Sequence, residues 1–475
     1  MPAPAWWWHN EQERLMSVPR FVLAGLEAGP AVDLAAGAVV SAFARRRTAR
    51  PVLFGLDVPL WRLLYGGTGK APRVVDPALH SEAVVAELLD YWSEDVDLLV
   101  AVAVRPVLDP WEGVEGSRPV DYAVSMDAPL VLVLDGRERG ATAAAAALGV
   151  RTLAKGADLG GLIVVGADET AGGRDLLQTL RRDVGLPILG QIPPQLTEQF
   201  VRQHTIASGG LRAIGAKPPT NAGTRLCEEA AMYVHVEEIE EVASRRGFVP
   251  VVQRRLFLQR QQLAEELSLA VAWGPPLQPL GLENIDVLQA AGVKLTPLNI
   301  ARDRVLPEGV SGLFIAGQLD EEQIPAFSAN RELHAALAAA IDDGLPTMAF
   351  GGGALLLLRR LSDSRGRSHD LAGVVPAEAE LLEWYDRPRY VRVSATRENP
   401  YDESANVLYE LFDLEYLVLE QESFAYRVRT PEDGDQAEGF AVQRCLISSL
   451  YPSFALCPGL ADRFVAALRL AGTWA

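Results

Sequence analysis

Residues 129–154, which read PLVLVLDGRERGATAAAAALGVRTLA, decide the fold. The stretch begins with a continuous apolar run that ends at Asp135, and an alanine-rich segment at 141–154 has the composition of a helix. A second apolar run, DLGGLIVVGA at 158–167, follows directly. Short continuous apolar runs are typical of parallel strands buried on both faces, and the strand–helix–strand order is typical of a doubly wound sheet. We therefore predict a parallel α/β fold.

The same alternation extends in both directions from this unit. Strand-like apolar runs precede it at 20–26, 50–56 and 96–104, with helical stretches between them. The pattern starts again in the second half, where apolar runs lie at 267–274 and 311–317. The sequence therefore predicts two tandem doubly wound domains. The expected boundaries are an N-terminal tail at 1–17, a first domain at 18–215, a helical linker at 216–262 and a second domain at 263–475.

Charge and composition exclude several classes of protein. The sequence has 44 Lys and Arg residues and 62 Asp and Glu residues. The resulting formal net charge of −18 has the wrong sign for a protein that binds the phosphate backbone of nucleic acids. No stretch of 18 or more apolar residues occurs, so we expect no membrane span. The three cysteines and six scattered histidines show no metal-ligand spacing. We predict a cytoplasmic protein without nucleic-acid or membrane partners and without a metal site.

Two short motifs leave alternatives open. Trp6, Trp7 and Trp8 could bind a partner or a membrane surface, although a terminal aromatic cluster more often folds back onto its own domain. GGTGKA at 66–71 resembles a phosphate-binding loop but lacks the G-x-x-x-x-G-K-[ST] spacing, and we interpret it as a solvated glycine-rich loop. Four histidines in polar contexts are expected at the surface: His204, His235, His334 and His369.

The order of several segments resembles the cobyrinic acid a,c-diamide synthase family. The resemblance extends over nearly the whole chain and is carried by VVDPALH (74–80), the stretch from 129 to 152, SGLFIAG (311–317), the stretch from 326 to 357 and FALCPGLADRFVAAL (454–468). It implies a P-loop, dethiobiotin-synthetase-like domain at 18–215 that uses ATP and Mg²⁺ to phosphorylate a carboxylate. It also implies a class I glutamine amidotransferase-like domain at 263–475 that releases ammonia.

The nucleotide site that the resemblance implies is degenerate in this sequence. Gly25 and Gly29 match the glycines of the phosphate loop, but Val32 stands at the lysine position and Asp33 at the magnesium-binding hydroxyl position. Pro30 removes a backbone N–H donor. In later strands, Val102 and Ala103 replace an acidic residue and a glycine, and Val165 replaces the asparagine that reads adenine. We therefore predict no cofactor, and Gly25 and Gly29 are vestigial nucleotide-binding positions.

The amidotransferase positions that the resemblance implies are degenerate as well. Gly351 stands where the family has the nucleophilic cysteine, and Tyr451 and Ser453 stand at the two histidine positions. A residue without a side chain cannot form a thioester. Cys445 and Cys457 lie close by in the sequence without a histidine neighbour, and we expect both to be buried thiols.

Two polar elements of the family pattern remain. Asp76 and His80 match a D-P-x-x-H element, and Asp135 and Arg137 match a D-x-R element at the end of a strand. These four residues are the candidate ligand-binding residues, and we expect them to converge on one pocket, with Arg137 as the contact for a ligand carboxylate. The alternative is structural, with the aspartates as helix caps that pair with His80 and Arg137.

Three hypotheses about function follow. The first is a catalytically inactive relative of the family that serves as a binding or scaffolding protein, with a corrinoid or other polycarboxylate ligand and a protein partner or second copy of the chain. The second is a functional amidoligase for cobyrinate or a similar polycarboxylate, in which ATP and Mg²⁺ would bind near Gly25 and Gly29. The third is a corrinoid- or tetrapyrrole-binding protein that rests on the Asp76/His80 and Asp135/Arg137 elements alone.

Overall fold

The structure is a computed structural model, and it forms two compact units. It describes residues 18–111, 116–137, 140–167, 169–207, 220–245, 255–257, 267–273, 277–278, 281–319, 321–381, 389–411, 415–418, 424–430 and 434–471. The described residues up to 245 form the first unit, and those from 255 onward form the second. The predicted tail at 1–17, with its three tryptophans, lies outside the described residues.

The first unit is built on a seven-stranded parallel sheet in the order β3-β2-β4-β1-β5-β6-β7. Strands β1, β4 and β5 are apolar along almost their whole length and buried, as expected for a sheet covered on both faces. The elements are β1 Arg20–Gly25, α1 Pro30–Ala44, β2 Ala49–Phe54, α2 Val58–Thr68, β3 Arg73–Val75, α3 Glu82–Trp92, β4 Leu98–Ala103, α4 Pro119–Ser125, β5 Leu130–Asp135, α5 Thr142–Leu153, β6 Leu159–Val165, α6 Ala171–Thr179, β7 Ile188–Ile192, α7 Pro194–Ala207, α8 Thr220–Ala230 and α9 Val236–Ala243.

Helices α8 and α9 lie inside the segment that the sequence analysis described as a linker, and they pack on the first unit. Helix α8 crosses α1 closely, because Gly37 leaves room for the side chain of Cys227. His235 N–H also donates a hydrogen bond to the Leu189 carbonyl on β7. These contacts make both helices part of the first unit.

The second unit contains a mainly parallel sheet in the order β10-β8-β11-β12-β22-β21, in which only the β21–β22 pair is antiparallel. Strand β9 pairs with β11 off this path. The elements that form this sheet and its helices are β8 Leu267–Trp273, β9 Leu277–Gln278, α10 Leu282–Ala290, β10 Val293–Asn299, β11 Gly312–Leu319, α11 Ile324–Ser328, α12 Arg331–Asp342, β12 Thr347–Gly351, α13 Gly352–Leu355, β21 Phe440–Val442, β22 Cys445–Ser448, β23 Leu450–Tyr451 and α14 Pro458–Ala471.

Two smaller sheets complete the second unit, with strand orders β14-β13-β15-β18 and β20-β19-β16-β17-β23. Their strands are β13 Leu358–Ser362, β14 Ser368–Asp370, β15 Val375–Glu380, β16 Arg389–Ala395, β17 Val407–Leu411, β18 Glu415–Val418, β19 Tyr426–Thr430 and β20 Gly434–Glu438. The predicted fold of two tandem α/β domains is confirmed.

The GGTGKA motif does not form the solvated loop that we expected. Gly66, Gly67 and Thr68 are the last residues of α2, and Gly69 ends the helix in the left-handed conformation at a φ of 65°. Gly66 and Gly67 pack against Thr224 and Ser41, where a Cβ atom would collide with a hydroxyl. The glycines therefore serve helix packing and a helix end.

Among the residues that the structure describes, no helix combines the length and the apolar character needed to cross a membrane. Within the same residues, no group of three or more His, Cys, Asp and Glu side chains is arranged to hold a metal ion.

Candidate functional site

The loop between β1 and α1 occupies the place of a phosphate-binding loop, and Val32 packs against the first of its two glycines. A Cβ at Gly25 would collide with a methyl carbon of Val32 and with the Glu27 carbonyl oxygen. Gly29 precedes the helix at a φ of 137°, which favours glycine. The two glycines thus keep the tight turn of the loop, while Val32 places an apolar side chain where the family has a lysine.

Two backbone amides in the first turn of α1 have partners within the protein. The N–H groups of Val32 and Asp33 both donate to the Gly29 carbonyl oxygen, at 2.9 and 3.3 Å, and Pro30 has no N–H to offer. A phosphate cradle requires free N–H donors at the start of the helix together with a cation. The residues present therefore do not fit ATP and Mg²⁺ in the family's manner.

Asp33 is the residue that the resemblance places at the position of the magnesium-binding hydroxyl. Burial and the nearby Asp57 carboxylate raise the pKa of the Asp33 carboxyl well above its usual range. Asp57 itself caps α2, since its Oδ1 accepts a hydrogen bond from the Leu60 N–H at 2.8 Å. When ionised, this pair of carboxylates repels a triphosphate, and when protonated, Asp33 is a poor ligand for Mg²⁺.

A cavity of about 300 Å³ lies beside this loop at the carboxyl edge of the sheet. It is lined by residues 26–32, by the end of β5 including Asp135, by Arg137 and by α5. Two of the four candidate ligand-binding residues, Asp135 and Arg137, thus lie at one cavity with Gly29. The cavity is wide enough for a small ligand.

Arg137 and Asp135, which both line this cavity, form an ion pair with hydrogen bonds between their side chains. The Arg137 Nε lies 3.0 Å from Asp135 Oδ1, and its Nη2 lies 2.6 Å from Oδ2. The Arg137 backbone N–H also donates to Oδ1, at 3.0 Å. Such a two-pronged pair neutralises the guanidinium and fixes its planar face. Any carboxylate that binds Arg137 has to compete with Asp135.

Asp76 and His80 lie elsewhere in the first unit. They follow β3, which is separated from β5 by four inter-strand steps of about 4.8 Å each. Neither residue lines the cavity of Arg137. Asp76 Oδ1 accepts hydrogen bonds from the Ala78 and Leu79 amides, and its own N–H donates to His80 Nδ1 at 3.2 Å.

The environment of His80 agrees with a structural contact. Burial lowers the pKa of His80 to about 4, so the imidazole is neutral at physiological pH. The neutral ring accepts the Asp76 N–H hydrogen bond and stabilises the turn before α3. The expected convergence of all four residues on one pocket therefore does not occur, because the two pairs follow strands at different places in the sheet.

The other vestigial positions of the first unit are buried inside its sheet. Val102 and Ala103 are at the end of β4 and Val165 is at the end of β6, and each is almost completely shielded from solvent. Apolar side chains at these strand ends contribute to packing and offer neither a metal ligand nor a hydrogen-bond donor for a base.

The second unit retains the backbone of a nucleophile elbow, a sharp strand-to-helix turn. Gly351 ends β12 at φ 56° and ψ −129°, and α13 begins at the next residue. Cβ atoms at Gly352 and Gly353 would collide with backbone atoms of β11, so the turn packs tightly on the neighbouring strand. This geometry exposes a nucleophile in enzymes that carry one, but Gly351 has no side chain. The sequence pattern indicates that the nucleophile is absent at Gly351, but it does not predict the conformation of the turn.

Tyr451 lies near this elbow with its ring packed into the protein. Its ring centre is 6.3 Å from that of Phe350, and it covers Gly281 at the start of α10, where a Cβ would collide with the tyrosine hydroxyl. Tyr451 and Ser453 are 4% and 2% exposed. Asn284 holds the segment that follows, because its side chain bonds to the Pro452 carbonyl and the Phe454 amide. Tyr451 is a packing residue.

A polar cluster that no sequence pattern indicates lies next to the elbow. Ser448 pairs in register with Phe350, and its hydroxyl donates to Glu438 at 2.6 Å. Ser449 donates to the same carboxylate through its hydroxyl and its amide, at 2.8 and 2.7 Å. Burial raises the pKa of Glu438, although these hydrogen bonds oppose the shift. The cluster ties β20 to β22 and β23.

The cysteines of the second unit are structural. Cys445 and Cys457 are free and buried, as expected. Burial raises the pKa of both thiols, which keeps them protonated and unreactive at neutral pH. Neither thiol has the lowered pKa of a catalytic cysteine.

Comparisons with known proteins agree with the resemblance in the sequence. Residues 269–446 match the model of the CobB/CobQ-like glutamine amidotransferase domain. A cobyrinate a,c-diamide synthase of Dehalococcoides mccartyi is 23% identical over 478 residues, covering 95% of this chain and 98% of that protein. One from Caldanaerobacter subterraneus subsp. tengcongensis is 20% identical, covering 91% of this chain and 94% of that protein.

Among solved structures, the MinD cell division protein of Aquifex aeolicus is 12% identical, with a TM-score of 0.30 over 48% of this chain and 96% of that one. A TM-score this low supports no conclusion about this chain. The likeness to the synthases extends along both units. The chain is thus similar along both units to cobyrinate a,c-diamide synthases, and residues 269–446 match the CobB/CobQ-like glutamine amidotransferase domain.

Proposed function

We propose that this chain is a catalytically inactive relative of the cobyrinate a,c-diamide synthases, and that it binds a polycarboxylate ligand such as a corrinoid acid. The observation that carries the proposal is Gly351, which holds the conformation of a nucleophile elbow without a nucleophile. The buried thiols nearby offer no substitute. The second unit then contributes its fold as a scaffold for a protein partner or a second copy of the chain.

The loop between β1 and α1 supports the same proposal for the first unit. Val32 packs against Gly25 in place of a lysine, the amides of Val32 and Asp33 donate to the Gly29 carbonyl, and Asp33 and Asp57 add negative charge. Carboxylate activation by ATP needs a bound triphosphate with its metal ion. A ligand that binds here without nucleotide would be released chemically unmodified.

A nucleotide titration and a glutaminase assay test the proposal together. Calorimetry with ATP and Mg²⁺ on the full chain is expected to give no saturable heat, and incubation with glutamine is expected to release no glutamate above the buffer control. A corrinoid acid is expected to bind and to change its absorbance spectrum. Saturable ATP binding, or glutamate release, would instead support the alternative of a functional amidoligase.

A further inference from the structure

Arg105 is a half-buried cation at the carboxyl edge of the first unit's sheet. It follows β4, and its guanidinium carbon lies 5.0 Å from the centre of the Trp111 ring. Its Nε is buried and has no hydrogen-bond acceptor. Within the part of the chain that the structure describes, no carboxylate pairs with this guanidinium, in contrast to Arg137 with Asp135. An arginine held in this way retains donors for a ligand.

The indole beneath the guanidinium is held in place by neighbouring strands. The ring packs against Gly55, just after β2, where a Cβ would collide with it and where φ is 93°. The Trp111 backbone N–H donates to Ser117 Oγ at 2.8 Å, which fastens the loop before α4. Val107 N–H donates to the Gly25 carbonyl at 2.9 Å, which fastens the same loop to β1. The pair is therefore ordered before any ligand arrives, which reduces the entropy lost on binding.

The chemistry of this pair selects a planar anion. A guanidinium stacked on an aromatic face keeps its N–H groups in its own plane, and their fork matches the two oxygens of a carboxylate. Strand β4 lies between β1 and β2, so the acidic residues that follow those strands, Glu27, Asp33 and Asp57, lie at the same edge. Their negative charge weakens the binding of any anion at this edge, so the preference for a carboxylate rests on the planar fork of the guanidinium.

We propose that Arg105 and Trp111 form a carboxylate-binding site for a small organic polyacid. The guanidinium receives two carboxylate oxygens, and Trp111 fixes its plane. The inference rests on the proposed function, since it assigns residues to a ligand that binds without nucleotide. Arg105 replaces Arg137, which Asp135 already neutralises, as the primary carboxylate contact.

Calorimetric titration of the full chain with tricarballylate, a small tricarboxylate, tests the site. We expect saturable binding, at least a tenfold loss of affinity in Arg105→Gln and a smaller loss in Arg105→Lys, because lysine keeps the charge without the fork. Arg182→Gln is the matched control in the first unit, because that exposed arginine forms its ion pair with the adjacent Asp183. It should bind as the native chain does, and circular dichroism should show all variants folded.

Three outcomes would overturn the inference. Tricarballylate binding that Arg105→Gln leaves unchanged while Arg137→Gln abolishes it would place the site at the other arginine, and the proposed function would stand. Orthophosphate that binds with equal affinity through Arg105 would show an anion site without carboxylate preference. Absence of tricarballylate binding would exclude this site, whereas the proposed function fails separately if ATP with Mg²⁺ binds.

Discussion

At the scale of the residue, Gly351 shows how a site can lose its chemistry and keep its shape. A side chain at φ 56° and ψ −129° carries backbone strain of about 1–3 kcal/mol, which enzymes accept to expose a nucleophile. Glycine adopts the same backbone angles freely. The turn therefore carries no such strain here, and the next two residues, Gly352 and Gly353, pack closely on β11.

Gly351→Cys tests whether the elbow alone can support glutamine hydrolysis. We expect a folded variant destabilised by about 1–3 kcal/mol, the usual cost of such a backbone conformation. Glutamate release should stay at the background, because Tyr451, which the resemblance places at a histidine position, is packed against Phe350 and Gly281 and cannot act as a base near neutral pH. Glutamate release that a thiol reagent abolishes would show that a base had been overlooked.

Asp363 is a second residue whose surroundings decide its role. Burial would raise its pKa, but hydrogen bonds from His369 Nε2, at 3.0 Å, and from Arg367 and Arg365 lower it to about 2. Because the folded-state pKa lies below the unfolded value, this carboxylate stabilises the protein above about pH 4 and loses that effect as the pH falls towards 2. Asp363→Asn should lower the free energy of unfolding by about 2 kcal/mol at pH 7.

Urea denaturation at pH 7 and near pH 3 measures this effect, and the difference between native chain and variant should shrink at the lower pH. Asp435→Asn removes the exposed partner of Arg429 and should change stability by less than about 1 kcal/mol. An equal difference at both pH values would contradict the assignment.

The expectation that His369 and His334 lie at the surface was wrong. Both side chains are buried, His369 beside Asp363 and His334 beside the Phe327 carbonyl.

At the scale of the element, the parallel strands were predictable because burial on both faces leaves a continuous apolar run. β1, β4, β5 and β6 all lie within predicted runs. β3 has only three residues, RVV, which is too short to stand out by composition. Side-chain partners were not predictable, because the Arg105–Trp111 stack and the separation of Asp76 from Asp135 depend on strand order across the sheet.

The contact between α1 and α8 gives a prediction at this scale. Gly37→Ala places a methyl group against Cys227 Sγ, and overpacking of a core costs about 1–3 kcal/mol, partly offset by the better helix propensity of alanine. We expect a net loss of roughly 1 kcal/mol in urea denaturation, and a smaller loss when Cys227→Ala is added. Gly149→Ala in α5, with no atom within 4 Å, is the control and should not destabilise. Equal effects at both glycines would refute close packing of α8.

At the scale of the whole molecule, each unit has its own parallel sheet and its own buried core. Domains built in this way can unfold as separate cooperative transitions. The proposed loss of catalysis affects small groups of atoms in each unit, at Val32 and at Gly351, and leaves both cores complete. Selection for the fold can thus persist where selection for the reaction does not.

Calorimetric melting of the full chain tests whether the two units unfold independently, with one destabilising substitution in each unit. Gly37→Ala lies in the first unit and Asp363→Asn in the second. We expect each to lower one transition, by about 2–4 °C per kcal/mol for units of this size, and to leave the other in place. Tricarballylate should then raise only the transition that Gly37→Ala lowers, because ligand binding stabilises the unit that holds the site. A single transition lowered equally by both substitutions would mean that the two units fold as one.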